Sequence, residues 1–143
     1  MLRYMVATVM LSLSSLAFAQ GVSVADVKTK NGVQLSAEDL KQLMPGAKVV
    51  SYTNAGSTRR WENNTDGTFV ASSDSKGSAS GRARPSSGNG TWRVDDKGRY
   101  CATIQWPASF EEWCRYIFKV GDKYYGFGKL DDSAQGSEFE FAK

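Results

Sequence analysis

The chain has 143 residues, a formal net charge of +3, two cysteines and no histidine. The missing histidine removes Ser-His-Asp and Cys-His nucleophilic systems, the usual general base near neutral pH and most transition-metal sites. So small a net charge does not point to nucleic acid, and the length fits one domain.

Residues 1–4 carry one charge, Arg3, and no acid occurs before Asp26. Residues 5–16 are apolar apart from Thr8 and three serines, and Ala17-Phe18-Ala19 offers the small residues that a signal peptidase reads. A cleaved signal peptide over residues 1–19 follows. The stretch is shorter than the roughly twenty predominantly apolar residues that a membrane span requires. No cysteine follows it to carry a lipid, so the mature chain, with a net charge of +2 after loss of Arg3, is expected in the periplasm or secreted, without a membrane anchor.

Residues 20–34 are polar and without clear period, and are expected to form an extended N-terminal arm. Ser36-Ala37-Glu38-Asp39 then gives a helix start, with Ser36 as N-cap and Asp39 at the capping-box position. Leu40, Leu43 and Met44 share one face, and Pro45-Gly46 stops the helix. From there the period becomes two. Strands are predicted at 48–53, 58–62 and 68–72, the last two joined by a hairpin through Asp66-Gly67. Residues 73–90 are rich in serine and glycine, and read as a long loop or a hairpin with weak edge strands. Further strands are predicted at 91–95, 99–106, 113–120, 124–127 and 138–141. The class is all-β: a small antiparallel β-barrel or a two-sheet sandwich of seven to nine strands with one short N-terminal helix, as a single domain over 35–143.

Cys101 and Cys114 lie on the strands 99–106 (RYCATIQW) and 113–120 (WCRYIFKV). Antiparallel pairing that sets 101 opposite 114 puts both sulfurs on one face within bridging reach, and an oxidising compartment makes the disulfide the default. Their spacing is far from CxxC, and two thiols without histidine make half a zinc site, so no metal and no cofactor are expected.

Adjacent acids at Asp95-Asp96, Glu111-Glu112 and Asp131-Asp132 are turn and surface residues rather than a catalytic pair, because two glycosidase carboxyls must face one bond from opposite sides, at least about 5 Å apart. The positive feature is aromatic content. Most aromatics on alternating strands are core. Some of them, with nearby arginines, can instead line a barrel mouth or groove that takes a sugar, peptide or small amphiphile. The candidates are Arg59, Trp61, Arg82, Trp92, Arg115, Tyr124 and Tyr125; Tyr124-Tyr125 places one ring on each face of its strand.

The succession SAEDLKQLMPG, DGTF, GTWRV, RYCATIQW, WCRYIF and GDKYYGF, over about residues 35–127, resembles an uncharacterised family of small exported proteins from Gram-negative bacteria, domain of unknown function nine-nine-five. The resemblance implies a periplasmic address and a small β fold, and transfers no activity. Three functional readings follow. The first is a non-enzymatic periplasmic or secreted binding module for a protein, glycan or small amphiphile. The second is an inhibitor of a secreted hydrolase that presents residues 107–112 as a loop. The third is a carboxylate-dependent hydrolase, which requires two acids from different strands to converge in a cleft.

Overall fold

A computed structural model describes residues 21–77 and 84–143; the expected signal peptide and Arg82 lie outside them. Ten strands run in chain order: β1 (Val22–Ser23), β2 (Val33–Gln34), β3 (Lys48–Tyr52), β4 (Thr58–Glu62), β5 (Thr68–Ser73), β6 (Ser86–Val94), β7 (Tyr100–Gln105), β8 (Phe110–Val120), β9 (Lys123–Phe127) and β10 (Gln135–Ala142). From β3 to β10 each strand pairs antiparallel with the next, and β10 pairs back onto β3. The result is a closed, eight-stranded, up-and-down barrel, with β1 and β2 added outside on β10 and β8. Closure decides for the barrel over the sandwich, and it removes the exposed edges that an open sheet would leave.

Side chains alternate between the barrel interior and its outer wall. Phe69, Ala71 and Ser73 of β5, and Tyr100, Ala102 and Ile104 of β7, point inward and are all buried. Cys101 directly faces Cys114 across β7 and β8, and the two form the expected disulfide, on the outer wall. The hairpin at Asp66-Gly67 is present as well. Gly67 takes a φ of 88° there, while Asp66 Oδ1 accepts from the Thr68 backbone N–H at 2.9 Å.

Two elements differ from expectation. β6 starts at Ser86 rather than residue 91, because Gly90 is a packing position. A Cβ there would fall 2.2 Å from the Phe69 ring, so the bulk that fills this stretch of wall comes from β5 across the pair. Residues 20–34 are not simply an extended arm. Among the described residues, β1, a helix α1 (Val24–Thr29) and β2 fold back on the barrel, so there are two short helices instead of one. Ser23 caps α1 by the same Ser-x-x-Asp box that Ser36 uses, with Asp26 Oδ2 accepting from the Ser23 N–H at 2.9 Å. Val24 and Val27 of α1 are fully buried against Phe118 and Phe127 on the outer face of β8 and β9.

The second helix, α2 (Ala37–Leu43), closes one end of the barrel. Leu40 and Met44 are fully buried there and join Val49, Trp61, Phe69, Tyr100 and Phe139 in the main core. A polar network is sealed into that core. The Trp61 Nε1–H is shared between Asn63 Oδ1 and Tyr100 Oη at 3.1 Å each. The Tyr100 hydroxyl donates to Asn63 Oδ1 at 2.8 Å, and Asn63 Nδ2 donates to the Met44 carbonyl at 3.1 Å. Every member has a partner, which is the condition for a buried polar cluster to be tolerated.

Candidate functional site

Among the described residues, the other end of the barrel is open. Residues of the β3–β4 and β7–β8 connections, with Ser75 and Gly77 after β5, surround a cavity of about 660 Å³, within the size range of small-molecule sites. An eight-stranded barrel has an interior just wide enough to fill with side chains or to leave room for one small molecule; this one is filled at the α2 end and leaves a cavity here. The floor is aromatic: Trp61, Trp113 and Phe139 line the cavity, and Trp113 lies 6.4 Å from Trp61 and 6.0 Å from Phe139 by ring centroids. The walls are hydroxylated, because the inward positions toward this end of several strands are serines, among them Ser51, Ser73, Ser86 and Ser137.

Two arginines and one acid supply the charge. Arg59 Nη1 donates to both carboxylate oxygens of Glu111 at 2.8 Å, and Trp106 Nε1 donates to Glu111 Oε2 at 2.7 Å. The Arg59 guanidinium also stacks 5.0 Å from the Trp106 ring, a favourable cation–π placement. Its buried Nε–H has no hydrogen-bond partner among the described residues. Arg115, from β8, sits over Trp113 at 5.5 Å, and its one hydrogen bond among the described residues runs from Nη1 to the neighbouring Cys114 carbonyl at 3.0 Å. No carboxylate lies within salt-bridge distance of it among the described residues, which include every acid of the chain. Burial pushes the Arg115 guanidinium below its ordinary pKa, opposed by the nearby Glu111 charge.

Three of the expected site residues, Arg59, Trp61 and Arg115, therefore converge on one cavity. Trp92 and Tyr124 point into the barrel near the α2 end and pack on the core; the Trp92 Nε1–H donates to the Asn64 carbonyl at 2.8 Å. Tyr125 is on the outer wall, packed with the cluster beneath α1. Trp106, Glu111 and Trp113 were not among the candidates. Strand register would have placed them: once Cys114 is assigned to the outer wall, residues 111, 113 and 115 of β8 must face in.

The two alternative readings lose their geometric support. Residues 106–109 form the β7–β8 turn, closed by Trp106 N–H to the Ser109 carbonyl at 2.8 Å, and Phe110–Val120 is strand. Residues 107–112 therefore present no long loop. The cavity contains one acid, Glu111, and its oxygens already accept from Arg59 and Trp106. Asp95 instead bonds Arg99 at 2.7 Å, and Asp132 bonds Lys28 at 2.8 Å. Asp95, Cys101 and Cys114 also cluster, but the two sulfurs are bonded to each other and offer no thiolate for a metal.

A closed barrel, plugged by a helix at one end and open at a polar mouth with an aromatic floor, defines a class: small β-barrels that enclose a cavity. Within it, the chain belongs to the family described as "Protein of unknown function (DUF995)", whose model matches residues 13–112. The match reaches further toward the N-terminus than the resemblance over 35–127, and stops before Cys114. No curated protein and no solved structure matches the chain.

Proposed function

We propose that this protein is a non-enzymatic binding module that holds one small ligand in the open end of its barrel. A cavity of about 660 Å³ with an aromatic floor carries this reading. Aromatic faces at the base with hydroxyls around the walls suit a molecule that is apolar on one part and polar on another, an amphiphile or a glycan fragment, better than a protein surface. The polar groups present fit binding better than catalysis, since Glu111 is fully engaged by Arg59 and Trp106.

The same proposal places the protein in the periplasm of a Gram-negative bacterium, or outside the cell. Support comes from the signal-peptide features of residues 1–19 and from a disulfide that needs an oxidising compartment. Intact mass of the protein recovered from a periplasmic fraction should begin at Gln20 and rise by two hydrogens on reduction; a chain retained in the cytosol with its leader attached would refute the address.

Binding is tested with phenylnaphthylamine, a neutral fluorescent aromatic. Saturable one-to-one binding with quenching of the cavity tryptophans is expected, and Ser137→Leu, which puts bulk into the empty space, should abolish it without unfolding the barrel. Absence of saturable binding to the native protein, together with no molecule retained in native mass spectrometry, would remove the reading.

A further inference from the structure

The charge in the cavity is not evenly placed. Arg59 is neutralised by Glu111, but Arg115 on the other wall is not paired with any acid. A second recess of about 320 Å³ opens beside it, toward the β9–β10 connection. The two spaces share Asn54, Arg115 and Ser137, and the recess adds Lys129 and Gln135. No carboxylate lines the recess, so its two ionised side chains are both cations.

The backbone of β9 makes room for this. At Gly126 a Cβ would come within 2.7 Å of the Phe139 ring and 3.2 Å of Arg115 Cβ. This glycine lets the Arg115 stem and the Phe139 ring lie flat against β9, and Arg115 lines both spaces. A half-buried guanidinium with a single carbonyl partner among the described residues has most of its five N–H donors uncommitted by them. Taking such a charge out of water without a counter-charge is unfavourable, and an apolar residue of similar volume would serve the fold at least as well. The geometry that would compensate it is a bound anion.

Resting on the small-ligand reading above, we propose that the ligand is an anionic amphiphile: an oxyanion head group held by Arg115, with Lys129, Asn54 and Ser137 around it, and an apolar body lying on Trp61, Trp113 and Phe139. A carboxylate or a phosphate head meets the same donors, and a planar guanidinium can engage either in bidentate fashion.

Anilinonaphthalene sulfonate and phenylnaphthylamine share one ring system and differ by the sulfonate, so titrating both into the mature protein separates the head group from the body. The sulfonate dye should bind at least about tenfold more tightly. Arg115→Gln should weaken it roughly 10- to 100-fold, the range for loss of charge-assisted hydrogen bonds. Phenylnaphthylamine should weaken far less than the sulfonate dye in that variant, since it loses only the packing of Arg115 on Trp113 and makes no use of the charge. Arg115→Lys should recover part of the loss, and Lys129→Gln, at an exposed position, should show a smaller decrease. Displacement of the dye by decanoate, by decyl phosphate or by both supports the assignment and reads which oxyanion is preferred; displacement by neither overturns it. Equal affinity for the two dyes, unchanged in Lys129→Gln, would overturn the anion site and leave the binding module standing. Failure of both dyes to bind would defeat the two together.

Discussion

The two ends of this barrel are built from the same strands and differ in whether their inward polar groups are satisfied. At the α2 end Trp61, Asn63, Tyr100 and the Met44 carbonyl satisfy one another, with Leu40 and Met44 sealing them from water. At the mouth, Arg59 has a buried Nε–H without a partner among the described residues, and Arg115 has no acid. One end has its interactions completed within the chain, while the other is left with capacity for something outside it. Stability and binding should accordingly separate along the barrel axis, and substitutions at each end can test that division.

The largest effect is expected at the closed end. Phe69 is 2% exposed and stacks on Trp61 at 5.1 Å, so Phe69→Ala should destabilise the fold by about 3–5 kcal/mol in urea unfolding. An equally large loss from a cavity-wall serine would break the division between the ends. The disulfide comes next, since it ties β7 to β8 on the outer wall and belongs to neither end. Replacing both cysteines by serine should cost about 2–5 kcal/mol and leave dye affinity within twofold under conditions where the variant is folded. A specific loss of binding in that variant would show that the wall bond also shapes the mouth.

Arg115→Gln should change stability by less than about 1 kcal/mol, or raise it, because it removes a partly desolvated charge that no acid pairs directly. A strong destabilisation, measured by the same unfolding curve, would make Arg115 part of the scaffold. The smallest expected effect concerns acid. The Ser36 backbone N–H, then its side chain, hold Asp39 below the ordinary carboxylate value of 3.8, and Ser23 does the same for Asp26. Because the folded values lie below the unfolded ones, this contribution is present above that pH and is lost as the pH falls through the folded values. The thermal midpoint of Asp39→Asn should therefore fall less steeply than that of the parent below about pH 4; identical slopes would show that the α2 cap does not respond to acid.

Local chemistry made much of this fold legible. Ser36 with Asp39 fixed the start of α2, Asp66-Gly67 fixed a hairpin, and 58–62 is the strand that alternation predicted. The same Ser-x-x-Asp signature at Ser23 was present but preceded only six helical residues, too few to be stable without the barrel surface beneath them. β6 was foreshortened because Ser86, Gly88 and Gly90 look like loop residues until Phe69 is placed over Gly90, and Ile104 and Trp106 over Gly88. Of the candidate site, Arg59, Trp61 and Arg115 were legible as types of residue, yet Trp92 and Tyr124 belong to the same types and are core. Residue type does not say at which end of an inward-facing row a side chain lies.

By itself, then, the sequence determined the class, the alternation of its strands and the cysteine pair, all of which rest on neighbours along the chain or on one pairing register. Only the tertiary structure decided that β10 returns to β3, that α2 plugs one end, and that Arg59, Glu111 and Arg115 meet at the other. Those outcomes depend on closing a sheet over more than ninety residues, and closure is a property of the summed twist and stagger of all eight strands rather than of any segment.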